Sequence, residues 1–231
     1  MLNSIADDPL YIDQVYGRLL ESISLGELKP GERVRQSALA DRLGVSRQPI
    51  SHALQLLKHQ GLVRDAGRQG VEVAPIDADR VLHLYEARVP LEACAASLAA
   101  TRVREGVADP RDVAALSTAL ADGRRQAREG APLAVLARAD SVFHAALYRL
   151  SGNPVIEQMM SGQWPHLMRS MLAVLDDRPT RTRAWEEHAQ ITAFVLAGDA
   201  RAAAGIVTRH LQRAGRDLHA QLRGATVESR P

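Results

Sequence analysis

The sequence predicts a mainly α protein in two parts: an N-terminal winged helix-turn-helix with a small β-hairpin, followed by an all-α antiparallel helical bundle. Three observations predict it. Two short amphipathic stretches flank the turn Gly44-Val45-Ser46, and just after them two Val-containing runs flank a basic, Gly-containing loop. From residue 77 onward, apolar stripes recur at helical spacing and nothing alternates as a strand would. Composition agrees: 46% of residues are hydrophobic but only 3% aromatic, so Ala, Leu and Val carry the excess and favour helix. A chain of 231 residues has room for one or two domains with a proper core.

Residues 1–9 read as a polar lead-in. Tyr11 to Ser24 carries Ile12, Val15, Tyr16, Leu19, Leu20 and Ile23 at helical spacing and should end near Gly26. Lys29-Pro30-Gly31 turns the chain into the stretch Ser37 to Val63. There Leu39, Ala40 and Leu43 form the stripe of one short helix, and Ile50, Ala53, Leu54 and Leu57 that of a second. Gly44 permits the left-handed backbone that ends a helix, Ser46 can cap the next, and Pro49 falls in a first turn where its missing N–H is harmless. Arg47, Gln48, Ser51, His52 and Gln55 are left outward, where a second helix offers polar groups to base edges in the major groove. Gly61 to Arg64 and Val71 to Val73 read as a hairpin around Asp65 to Gly70. Between Lys29 and Arg68, eight Lys and Arg stand against three acidic residues, a local excess more telling than the chain's net +2. Any small helical domain with a short turn is the plain alternative; the hairpin and the charge weigh against it.

Ala74-Pro75-Ile76 reads as a linker, so the domains are expected at 1–75 and 76–231, with Asp77 or Asp79 opening a new helix. Helices are predicted at about 79–104, 110–129, 132–151, 154–175, 180–197 and 200–222, with Pro165 kinking the fourth and Gly224 to Pro231 frayed. Short connections between six helices imply an antiparallel bundle. The single cysteine, Cys94, lies in the apolar run LEACAASLAA and is expected to be a buried small residue. No leader peptide opens the chain and no apolar run reaches the roughly 18 residues of a membrane span, so a cytoplasmic protein without a membrane partner is expected.

Drawing the stripes exposes polar groups on the wrong face. The third bundle helix reads Leu133, Leu136, Asp140, Phe143, His144, Leu147; the fifth Trp185, His188, Ile191, Thr192, Val195; the sixth Ala203, Ile206, Val207, His210, Ala214. Asp140 and His144, four apart, share a face. A lone histidine on such a face is usually a hydrogen-bonded core residue, but an unpaired buried carboxylate costs several kcal/mol, roughly. A divalent cation shared by all four would remove that cost, and three imidazoles with one carboxylate suit zinc, nickel or a similar ion. A plain Asp140–histidine hydrogen-bond network fits the spacing equally well. Arg88 is the other misplaced charge, on the stripe Val81, Leu84, Tyr85, Arg88, Leu91, Glu92; a local pair with Glu92 is its plain reading.

The stretch LKPGERVRQSALADRLGVSRQPISHALQLLKHQGLV resembles the DNA-binding domain of the GntR family of bacterial transcription regulators. That family's core runs close to Val-Ser-Arg-x-Pro-Val-Arg-Glu-Ala-Leu; here it is VSRQPISHAL. Arg47 matches the contacting arginine, whereas Ser51 and His52 replace the usual Arg-Glu pair, which removes a bidentate guanine contact and implies a different operator preference. The resemblance implies DNA contact through Arg35, Ser37, Arg47, Gln48, Ser51, His52, Arg68 and Gly70. The segments YEARVPLEACAASLAA, ADSVFHAALYRLSGNPVI and EEHAQITAFVLAGDARAAAGIVTRHL are similar to the helical FCD effector domain of the FadR-type branch, from about residue 79 to 220. In many members an Asp-x-x-x-His pair and two later histidines bind a metal, and those positions match Asp140, His144, His188 and His210. The resemblance also sets Arg88, in Arg-x-x-Leu-Glu, near the ligand pocket, where a guanidinium suits a small organic acid. Gln163 and Arg169 are further candidates for the pocket wall, and His83, His166 and His219 are left as surface or packing residues.

The expectation is a metabolite-responsive repressor, a homodimer on a near-palindromic double-stranded operator, that binds zinc or nickel and a carboxylate effector. A metal-dependent hydrolase using the three-His-one-Asp set is the alternative. It lacks an evident general base, an HExxH run, and a purpose for the winged domain. A DNA-binding architectural protein with a metal-free bundle is the third reading.

Overall fold

The computed structural model describes residues 9–67, 70–174 and 178–228, in two units that part between Ile76 and Asp77. In the first, α1 (Pro9–Ser24) packs Val15, Leu19 and Ile23 toward α3 (Arg47–His59), whose inner face is Ile50, Ala53, Leu54 and Leu57. α2 (Gln36–Leu43) adds Leu39 and Ala40. Burying each large aliphatic side chain contributes roughly 1.5–3 kcal/mol, which is why these stripes, and not local propensity, hold the short helices. Gly44 ends α2 with φ +67°, and Val45 N–H then bonds back to the Ala40 carbonyl at 3.0 Å. Ser46 stands at the N-cap of α3 in extended backbone but, against expectation, makes no side-chain capping bond.

The hairpin is β2 (Val63–Asp65) against β3 (Val71–Val73), with Val63 opposite Val73 and Asp65 opposite Val71. A further strand, β1 (Arg33–Val34), pairs with the other side of β3 and makes the sheet order β1-β3-β2, antiparallel throughout. Of the loop between β2 and β3, Arg68 and Gln69 lie outside the described residues, as do residues 1–8, 175–177 and 229–231.

The second unit comprises α4 (Ala78–Arg104), α5 (Pro110–Glu129), α6 (Leu133–Leu150), α7 (Pro154–Ser161), α8 (Trp164–Val174), α9 (Arg178–Leu196) and α10 (Ala200–Glu228). Asp77 caps α4 by accepting from the N–H groups of Asp79 and Arg80, and Asn153 caps α7 ahead of Pro154. α4 and α10 run antiparallel along their length. Asp79 at the start of one meets His219 near the end of the other at 2.9 Å, and Arg104 at the far end reaches the Gly198 carbonyl at 3.4 Å. α6 and α9 also pack on α4, so four helices enclose one interior.

Three expectations are corrected here. The predicted helix 154–175 is two helices: the chain breaks at Gly162-Gln163, and Pro165 sits in the first turn of α8 instead of kinking a continuous helix. α10 continues to Glu228, past the expected fraying point at Gly224. Cys94 is exposed, because α4 turns Ala95, Ala96, Ala99 and Ala100 inward and leaves Cys94 and Leu98 on the opposite face. No helix among the described residues is long and apolar enough to cross a membrane.

One close approach shapes the interior. A Cβ built on Gly123 of α5 would overlap the Trp185 indole of α9, so only hydrogen fits there. Gly123→Ala should therefore displace Trp185 and destabilise the unit by about 1–3 kcal/mol. A red-shifted tryptophan emission and a lower urea midpoint would register it; unchanged values would show that the indole yields freely.

Candidate functional site

In the first unit, α3 leaves Arg47, Gln48 and His52 exposed and Ser51 half-buried. Arg35, Ser37, Arg47 and Gly70 line a single hollow with Val34, Gln36 and Val71. Arg35 is the N-cap of α2 and Ser46 that of α3, and neither supplies a side-chain cap. The hollow thus lies at the N-terminal ends of α2 and α3, and an anion suits such ends. Arg68, expected on the same face, lies outside the described residues.

In the second unit, Asp140 and His144 project from α6, His188 from α9 and His210 from α10; the three imidazoles meet, and Asp140 stands beside two of them. His188 Nε2 lies 3.2 Å from His210 Nε2. Asp140 Oδ1 lies 3.5 Å from His188 Nε2 and 3.9 Å from His144 Nε2. One nitrogen from each imidazole falls within 4.8 Å of the others. All three histidines are buried, whereas Asp140 is 17% exposed and stands toward the open side, so its desolvation is smaller than the sequence stripe implied.

Two carboxylates that the sequence reading passed over complete the cluster. Glu92 accepts from His144 Nδ1 at 2.6 Å and from Arg88 Nε at 2.7 Å, with both partners and the carboxylate fully buried. Glu187 accepts from His210 Nδ1 at 2.7 Å and is ion-paired with Arg213. A carboxylate on Nδ1 fixes the proton there and leaves Nε2 as a lone pair turned into the cluster. Burial would raise the Glu92 carboxyl, but Arg88 and then His144 more than offset it and hold it well below the usual carboxylate range. Burial also pushes His188 and His210 well below the ordinary imidazole value, so both are neutral at pH 7, the ligating form.

A protein-only network leaves this arrangement unsatisfied. His188 Nε2–H can donate to His210, yet His144 Nε2 stays buried without a hydrogen-bond partner among the described residues. An orphaned lone pair beside further imidazole nitrogens and a carboxylate is the environment a divalent transition ion satisfies, with the carboxylate–histidine partners already in place. The donor set fits such an ion.

The cluster opens on a pocket bounded by α4, α6, α8, α9 and α10, whose empty space is about 820 Å³ with open solvent at its mouth included. Arg88 lines it and also pairs with Glu92, so the predicted local pair exists but is buried. Its guanidinium carbon lies 4.8 Å from the ring centroids of both Tyr85 and Trp164, and its Nη1 and Nη2 make no hydrogen bond among the described residues. Gln163 and Arg169, expected near the wall, do not line the cavity. His83 is exposed, His166 is packed and His219 binds Asp79, as the sequence suggested. Glu92 and Glu187 are further carboxylates that turn inward beside the cluster. Both oxygens of each are engaged, however, so neither is available as a general base.

Comparison with known proteins agrees with the two-part architecture. The family described as "Bacterial regulatory proteins, gntR family" matches residues 11–73, and the FCD domain matches residues 83–213. The HTH-type transcriptional regulator YdhC of Bacillus subtilis (strain 168) is 31% identical over 66% of this chain, a segment that spans 65% of its own length. The Nta operon transcriptional regulator of Aminobacter aminovorans is 28% identical over 87% of this chain and 90% of its own. The solved structure of E. coli McbR/YncC superposes with a TM-score of 0.78 at 22% identity, covering 96% of this chain and 99% of that one, and shares the fold. The matched families and these relatives are transcription regulators, and the hydrolase alternative falls with that finding. The chain belongs to the GntR family of bacterial regulatory proteins, as a DNA-binding transcription regulator with an FCD domain.

Proposed function

We propose that the protein is a metabolite-responsive repressor, acting as a homodimer on a near-palindromic operator. Its FCD domain holds a divalent transition metal, zinc or nickel, on Asp140, His144, His188 and His210, and takes a small organic acid whose carboxylate meets Arg88. The observation that carries this reading is the orphaned His144 Nε2 facing Asp140 beside His188 and His210, with Glu92 behind His144 and Glu187 behind His210. A bound ion would supply Lewis-acid attraction for an effector oxygen. Arg88, with Nε spent on Glu92, offers Nη1 and Nη2 as a two-toothed grip on a carboxylate. Because α4, α6, α9 and α10 all contribute, occupancy changes how these helices are tied to one another. A coupling of about 1–3 kcal/mol would alter operator affinity roughly 5- to 150-fold.

Elemental analysis of protein purified without chelator and without a nickel resin tests the metal: about one ion per chain is expected, and metal-free protein would overturn the reading. On the DNA side, Arg47→Ala should weaken operator binding in an anisotropy titration. If Arg47 meets a phosphate, the loss is uniform across sequences and the salt dependence shrinks by about one ion; if it meets a base, one operator position loses about 1–3 kcal/mol of discrimination. Undiminished binding would remove Arg47 from the interface.

A further inference from the structure

We infer that the effector has a single anionic head and an apolar body: a monocarboxylic acid with an aliphatic or aromatic tail, as against a dicarboxylate or a polyhydroxy acid. The inference rests on the proposed capture of a carboxylate by Arg88. Its own grounds are where the cavity keeps open charge and what the rest of its wall is made of.

Open cationic donors are concentrated at one place. Arg88 lines the cavity, and its Nη1 and Nη2 are buried without hydrogen-bond partners among the described residues. The other arginines at the mouth are already engaged. Arg183 bonds Asp217 at 2.9 Å, Arg213 pairs with Glu187, and Arg181 also has a partner. A second carboxylate on the effector would have to share an arginine already neutralised by an acid such as Asp217 or Glu187, and would meet that acid's like charge.

The walls grade from polar to apolar along two helices. On α6, the strip that carries His144 and Asp140 continues toward the helix start as Ala137, Leu136 and Leu133. On α10, the strip that carries His210 continues as Ala214 and Leu218. Met171 of α8 joins the same lining. At a rise of about 1.5 Å per residue, the eight steps from His210 to Leu218 span roughly 12 Å beyond the histidines. Hydroxyls laid against Ala137, Leu136, Leu133, Ala214 and Leu218 would leave water for side chains that offer no partner, whereas methylenes would gain from the transfer.

The chain's two tryptophans, Trp164 and Trp185, both touch the histidine cluster, so intrinsic fluorescence of the zinc-loaded full-length protein reports binding directly. The probes are acetate, butanoate, hexanoate and octanoate, with octanedioate, gluconate and octanol as contrasts. Affinity should rise about fourfold per added methylene until the wall ends, and octanedioate and gluconate should bind at least about tenfold more weakly than octanoate. Ala214→Leu should weaken octanoate more than butanoate and leave zinc stoichiometry unchanged. A flat chain-length series, or gluconate or octanedioate binding as tightly as octanoate, overturns the inference while the carboxylate reading stands. Octanol binding as tightly as octanoate, or Arg88→Lys without effect on any acid, overturns the Arg88–carboxylate reading itself. No binding by any acid overturns both.

Discussion

His188→Ala is expected to lower zinc affinity on the order of a hundred- to a thousandfold, since a total of about 10–16 kcal/mol for a structural zinc spread over four ligands assigns each a few. The residue is the cleanest of the four to remove. His144 and His210 each hold a buried carboxylate, so their truncation would strand Glu92 or Glu187; His188 has no acidic partner at Nδ1. It does stack on Phe143, with ring centroids 4.2 Å apart, and meets Trp185 edge-on at 4.8 Å. His188→Gln, which fills more of that space, should accompany it so that lost packing is not mistaken for lost ligation. Competitive titration against a chelator measures the affinity. The stabilisation on adding zinc, about 4 kcal/mol when free metal is a thousandfold above the native Kd, should fall to about 0.4–1.4 kcal/mol at the same free metal in both variants. Basal operator binding should persist while the response to effector is lost. A variant that retains one tightly held ion would sink the assignment. Burial holds His188 and His210 below the ordinary imidazole range, so protons should begin to displace the metal only at a pH below that of an exposed histidine site.

What the sequence revealed and what it hid follow from helical geometry. Gly44, Ser46 and Pro49 mark the turn because each backbone demand is local, and the four inward polar residues stand out because each lies in line with apolar residues at helical spacing. Glu187 escaped because it neighbours His188 and sits about 100° around α9, on a second buried face that a single-stripe reading omits. Glu92 was seen only as a neighbour of Arg88; its bond to His144 spans 52 residues and no local spacing encodes it. The usable signal was chemical: a buried ligating histidine needs an acceptor for its other nitrogen, and each inward histidine could have been asked for one. Cys94 misled for the opposite reason, since Ala and Cys on both faces of α4 blur which side is core. The two-residue β1 has no periodicity to detect, and Pro165 reads alike as a kink or as the first turn of a new helix.

Arg88→Ala is expected to destabilise the FCD unit by about 3–5 kcal/mol, because it leaves the Glu92 carboxylate buried with His144 as its remaining close partner. It also removes the guanidinium stacked between Tyr85 and Trp164. Urea unfolding of the metal-free protein, followed by tryptophan emission, measures it within this unit because both tryptophans lie there. The paired variant Arg88→Met with Glu92→Leu separates two reasons for keeping a buried ion pair. If the pair exists for stability, the double variant should be as unstable as the single one. On the physical argument that desolvation offsets most of the attraction, it should instead recover most of the loss. That recovered protein would still lack the acceptor behind His144, so its zinc affinity should fall roughly 10- to 100-fold, and it should respond to no acid. A double variant with native stability, weakened metal and no effector response would mean that Arg88 and Glu92 are held in the interior for ligation and sensing. A double variant as unstable as Arg88→Ala would make the pair a structural strut.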